Sequence, residues 1–162
     1  MEIYSAEYLA VLSNRAAGNE RMRQHQNIHK GFDEPCQRLF NAIEPGSYIR
    51  PHRHASVLRN ELMVAVRGVM ALVTFDDVGQ LQRVVRFGSE KYGCDLPIGL
   101  EINPETWHTV MALEAGSVLL EVKAGPFDPA QPKDLAGWAP SEGSSEAQIY
   151  VNQLRHLIET HK

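Results

Sequence analysis

The sequence predicts an all-β sandwich or barrel with a short helix at each end. Three observations carry this expectation: seven short strand-like runs follow one another between residues 37 and 122, turn signals close most of them, and helical periodicity is confined to the termini. With 162 residues, 43% of them hydrophobic, the chain reads as one domain whose core needs no disulfide support.

At the amino end Ser5 is placed to cap a helix that carries Tyr8, Leu9 and Leu12 on one face and stops at Gly18 in the C′ position. Residues 1–20 are thus a helical arm. The expected strands run from Gln37 to Ile43, Leu62 to Val66, Val69 to Phe75, Gln82 to Phe87, Ile98 to Ile102, His108 to Leu113 and Val118 to Val122. They are closed by Glu44-Pro45-Gly46, Arg67-Gly68, Asp76-Asp77-Val78-Gly79, Glu114-Ala115-Gly116 and Gly125-Pro126. The barrel occupies residues 21–140, ending in an irregular proline-containing stretch. Residues 141–162 are a tail and a helix from Glu146 to Thr160, with Ile149, Leu154, Leu157 and Ile158 at helical spacing.

Sixteen basic against 20 acidic residues give a net charge of -4, which lacks the electrostatic footprint of a nucleic-acid binder. Met1 to Gly18 carries neither a basic leader nor a small-residue cleavage site, and no apolar run reaches membrane-spanning length, so a cytoplasmic chain without membrane partners is expected. Cys36 and Cys94 have neither zinc-knuckle nor redox-pair spacing and read as reduced, buried thiols.

Seven histidines against two cysteines direct any metal chemistry toward imidazole and carboxylate. His52 and His54 flank Arg53, and residues two apart on a strand project from one face, so both rings can reach one point. Gly46 lies six residues before His52, Glu61 seven after His54 and Gly68 seven after Glu61, with His108 in a later strand. This resembles the first cupin motif, with a longer gap between His54 and Glu61. The stretch Asn103 to His108 resembles the second, with Asn103 for the usual proline, Glu105 for the usual glycine, and Ala112 for the asparagine that follows.

Further segments narrow the resemblance: Arg21 to His29, Gln37-Arg38-Leu39, Pro45 to His54, Thr106 to Val110, Glu121 to Phe127 and Trp138-Ala139-Pro140 occur in the order seen in the WbuC-family cupin metalloproteins, to which residues 5 to 143 are similar. The resemblance implies a double-stranded β-helix, a jelly-roll barrel with a metal in its mouth. It also implies a setting among bacterial O-antigen and surface-polysaccharide genes, without a settled reaction.

The residues support that reading in their own terms. His52, His54, His108 and Glu61 offer a divalent manganese, iron, nickel, copper or zinc ion a mixed nitrogen and oxygen shell, leaving two octahedral positions for water or substrate. Glu61 falls on a strand apolar on both faces, where a lone carboxylate is costly and ligation would satisfy it. Arg21, Arg23, His25, Asn27 and His29 share one parity and could face an anion or a solvated edge; the resemblance favours Arg23, His25, Asn27 and His29 in a pocket wall. Gln37 joins them from the next strand.

By parity Arg50 faces inward with the ligand histidines, where it would grip a carboxylate or phosphate, whereas Arg53 faces away. Glu121 and Lys123, two apart on a late strand, form an interior pair, either a proton-transfer couple or a structural ion pair. Trp107 should oppose His108 and serve packing, and His156 and His161 are solvated helical residues. The expected function is an isomerase or epimerase acting on a small anionic carbohydrate-related ligand. An iron-dependent dioxygenase and a non-catalytic sugar-binding or regulatory module are the alternatives, and a homodimer is the expected assembly.

Overall fold

A computed structural model describes residues 1–54, 58–89, 91, 95–130 and 133–161. Helix α1 (Ala6–Ala17) is followed by strands β1 (Arg23–Asn27), β2 (Cys36–Ile43), β3 (His52–Arg53), β4 (Glu61–Arg67), β5 (Val69–Phe75), β6 (Leu81–Gly88), β7 (Gly99–Ile102), β8 (Trp107–Ala112), β9 (Ser117–Ala124) and β10 (Asp134–Leu135), then helix α2 (Ser145–Thr160). The strands form two five-stranded sheets in the orders β1-β2-β9-β4-β7 and β10-β3-β8-β5-β6, with antiparallel pairing throughout. This is the jelly-roll, with a helix at each end, that the sequence predicts.

Period-two alternation divides each strand between two environments. Between the sheets, Ile43, Met63, Met70, Leu72, Phe87, Val110 and Leu119 form the inner core. Outside the first sheet, Leu12 and Ala16 of α1 lie on Phe40, Ala42 and Val118, with Tyr8 and Leu9 alongside. Outside the second, Val151, Leu154 and Ile158 of α2 cover Ala71, Val73, Phe75 and Met111. Both helices therefore exist to bury an outer sheet face, which is why their apolar stripes are legible in sequence.

Ser5 caps α1 by accepting the Tyr8 N–H through its side chain at 3.1 Å. Gly18 ends the helix with φ -84°, a right-handed conformation rather than the left-handed one expected at C′. Gly68, between β4 and β5, has φ +76°, and an added Cβ would meet the Ser117 side chain at 2.2 Å, so both the turn and the close approach require glycine. The thiol of Cys36 is free and exposed, correcting the expectation of a buried residue: it opens β2, whose burial begins only at Gln37. Cys94 lies outside the described residues.

Candidate metal centre and its cavity

Register brings the predicted residues together. Across the inner face of the first sheet, His25 opposes Asn41, which opposes Leu119; Asn27 opposes Leu39, then Glu121, then Met63; Gln37 opposes Lys123, then Glu61, then Ile102. In the second sheet His52 opposes His108 directly. These polar rows surround a cavity of about 640 Å³ lined by Arg23, His25, Asn27, His29, Gln37, His52, His54, Glu61, His108, Glu121 and Lys123.

The ligand atoms of His52, His54 and His108 all lie within 4.8 Å of one another, a group that can hold a metal ion. Two of the rings are oriented by the backbone: His52 Nδ1 lies 3.0 Å from the Arg50 carbonyl and His108 Nδ1 2.8 Å from the Thr106 carbonyl. Donation to those carbonyls protonates Nδ1 and turns a lone pair on Nε2 inward, the tautomer a metal requires. Burial lowers the basicity of both His52 and His54, the latter to about 4 although the Glu61 charge opposes the shift, so both rings are neutral at physiological pH.

Glu61 Oε2 is 3.7 Å from His54 Nε2 and 3.6 Å from His108 Nε2. Both Glu61 Oε2 and His108 Nε2 are buried without a hydrogen-bond partner. Unpartnered buried polar atoms of this kind are costly unless something binds them, and a carboxylate facing a cluster of imidazoles fits a divalent cation. Burial alone would raise the Glu61 pKa, but the neighbouring Glu121 and His108 side chains and the Lys123 charge hold it well below the carboxylate range. Lys123 Nζ bonds Glu61 Oε1 at 3.1 Å and Glu121 Oε1 at 2.9 Å, joining the two acids. Burial, then the Glu61 charge, raises Glu121 to about 8.

Several expectations change. Arg50 does not line the cavity: its guanidinium donates to the Ala136 carbonyl at 3.1 and 2.7 Å and to Ser141 Oγ at 3.2 Å. Parity fails there because residues 47–51 lie outside any strand, and β3 contains only His52 and Arg53. Arg23 does line the cavity, but Glu142 holds it at 2.6 Å and also holds Arg21 at 2.9 Å. Gln37 spends its amide N–H groups on the carbonyls of Gly31, Phe32 and Glu34. His29 Nδ1 accepts the Arg38 backbone N–H at 3.0 Å, while its buried Nε2 is unpartnered. The strand of Glu61 is not buried on both faces, since Leu62 is 40% exposed.

Arg53 and Trp107 face outward as expected, the guanidinium lying 4.4 Å from the indole ring and bonding Asp134 and Asp77. The cavity also includes residues that sequence reasoning missed: Asn41, Lys133, and the edge-on pair Phe32 and Phe127, whose ring centroids are 5.2 Å apart. Asn41 carried a signal, being an amide that shares the inward parity of Gln37 and Leu39 yet sits between Phe40 and Ala42, and its Oδ1 is buried and unpartnered.

Fold and site together define a jelly-roll protein with a group of three histidines in its cavity that could hold a metal ion. The chain matches the family model described as Domain of unknown function (DUF6016) over residues 4–87, more than half of its length, and belongs to that family. No curated protein matches it. Among solved structures it is similar to protein SO0799 of Shewanella oneidensis, at 11% identity over 83% of each chain and a TM-score of 0.54. The capsular polysaccharide assembling protein CapF of Staphylococcus aureus is 19% identical, with a TM-score of 0.52, over 70% of this chain and 29% of that one. Oxalate decarboxylase of Bacillus subtilis, described with Mn(II) centres, is 15% identical over 70% of this chain and 27% of that one, with a TM-score of 0.50. The chain thus spans less than a third of either of these two proteins. Among the described residues no helix is long and apolar enough to cross a membrane.

Proposed function

We propose that this protein is a cytoplasmic, homodimeric, metal-dependent cupin that binds a small anionic carbohydrate-related ligand and catalyses an isomerisation or epimerisation in bacterial surface-polysaccharide synthesis. One observation carries the metal-dependent part: the unpartnered buried oxygen of Glu61 faces the Nε2 atoms of His54 and His108 across 3.7 and 3.6 Å, beside His52. His52, His54, His108 and Glu61 would hold one divalent transition metal. The WbuC-like segments and the fold shared with a capsular polysaccharide assembling protein support the polysaccharide setting.

When bound, the metal supplies Lewis-acid polarisation of a ligand carbonyl or hydroxyl. The chain's own groups do the rest. Glu121 lies on the cavity wall one row from Glu61, where its carboxyl can give or take a proton on a carbon of the ligand. Lys123 bonds both the Glu121 and the Glu61 carboxylate and orients them. His25 and Asn27 on β1, with His29 just beyond it, offer hydrogen-bonding groups farther along the same sheet, and Phe32 and Phe127 present apolar surface to the ligand.

Proton transfer at carbon leaves a solvent label. Metal-loaded protein in D2O, screened by NMR against sugar nucleotides and sugar acids, should place deuterium at the carbon next to a carbonyl. The Glu121→Gln variant should fail to do so while keeping its metal. Absence of exchange throughout the panel contradicts the isomerase assignment, and oxygen uptake dependent on added iron would instead favour the dioxygenase.

A further inference from the structure

The proposed ligand is anionic, yet most cations around the cavity are already spent. Arg21 and Arg23 share the Glu142 carboxylate, Lys123 bridges Glu61 and Glu121, and Arg50 is turned away. Lys133 differs. It lines the cavity and makes no hydrogen bond or ion pair among the described residues.

Its placement follows from backbone register. In the antiparallel pair of β10 with β3, Asp134 opposes Arg53 and Leu135 opposes His52. One further step sets Lys133 opposite His54, and directly opposed residues share a face. Asp134 accordingly meets Arg53 on the outside of the barrel, at 3.3 Å, while Lys133 falls on the side of the histidine group. Burial disfavours its charge, which the acids Glu121 and Glu142 support and the cations Arg23 and Lys123 oppose. A desolvated ammonium without a direct counterion gains most from an incoming anion.

From this juxtaposition we infer that Lys133 anchors an oxyanion, a carboxylate or phosphate, of the small molecule bound at the histidine group, and so selects anionic over neutral ligands. The inference rests on the metal-site reading given above and assigns the ligand's charged end to the side of the cavity formed by the segment before β10. It also replaces Arg50, which the sequence had favoured for this task.

Relaxation of inorganic phosphate (31P) and acetate (13C) by Mn(II)-loaded protein tests it, because a saturable effect reports an anion close to the metal. Metal content is measured first on each protein. Wild-type protein should bind at least one of the two anions saturably, and Lys133→Met should weaken that binding about tenfold, the loss expected for one charge-assisted contact. The Lys133→Arg variant should restore most of it, and both variants should keep wild-type metal content. The arm that depends more strongly on Lys133 identifies the oxyanion. If metal-loaded wild type binds neither anion, or Lys133→Met binds both as wild type does, the inference is wrong while the metal reading stands. If wild type takes up neither manganese nor iron, nickel, copper or zinc, the metal reading fails instead, together with the inference built on it.

Discussion

Glu142→Gln isolates the contact that ties the carboxyl-terminal segment to the cavity wall. Arg23 is 7% exposed and donates to Glu142 Oε2 at 2.6 Å and to the Tyr48 carbonyl at 2.7 Å, whereas Arg21 on the same carboxylate is 64% exposed. Glutamine preserves shape and an acceptor but removes the charge. A fully buried pair would lose about 3–5 kcal/mol and an exposed one about 0–1 kcal/mol. With Glu142 one-third open to water, about 1.5 kcal/mol is the expected loss at neutral pH, a fall in Tm of roughly 3–6 °C for a chain of this size.

The pH dependence has a definite sign. Burial would raise the Glu142 pKa, but the hydrogen bond and charge of Arg23, helped by Arg21, hold it below its ordinary value of 4.5. The unfolded chain therefore takes up that proton at higher pH than the folded one. The wild-type advantage should be fully present above pH 4.5 and disappear as pH falls through the folded value. Urea unfolding followed by circular dichroism across this range measures it. Equal stability of the two proteins at neutral pH, or a difference undiminished in strong acid, would refute the reasoning.

Three other substitutions separate structural from functional roles. Arg50→Ala should cost about 1–3 kcal/mol through the lost bonds to Ala136 and Ser141, with phosphate affinity and metal content unchanged; a tenfold loss of phosphate binding would restore the parity argument for this residue. Leu154→Ala, at a site 2% exposed on the buried face of α2, should destabilise by about 2–5 kcal/mol in chemical denaturation. Glu105→Gly should stabilise by about 1 kcal/mol, since Glu105 holds a left-handed φ of 64° in the turn where the second cupin motif has glycine.

The same turn illustrates what sequence can and cannot reveal. Glu105 departs from the motif, yet the backbone keeps the left-handed conformation and delivers His108 to its position opposite His52. Long strands were legible because they form strand-like runs of six to eight residues closed by turn signals, as in β2, β5, β8 and β9, and because both helices carry an apolar stripe. The two-residue strands β3 and β10 have no period to read. Arg50 and Lys133 adjoin these strands, where no regular strand carries parity to either side chain. Parity did bring His25, Asn27, Gln37, Glu121 and Lys123 to the cavity, because each lies within a regular strand. What it could not anticipate was competition from a distant segment, whose Glu142 takes up Arg21 and Arg23 from 121 and 119 residues away.

Elemental analysis of protein purified without chelators, compared with His108→Ala, tests the metal centre most directly. His108 is 1% exposed with its inward nitrogen unpartnered, so the wild type should carry about one equivalent of a divalent transition metal and the variant should lose it. Metal should also raise the wild-type Tm through preferential binding to the folded state and leave the variant unmoved. A wild-type protein that holds no transition metal and gains no stability from manganese, iron, nickel, copper or zinc would contradict the account.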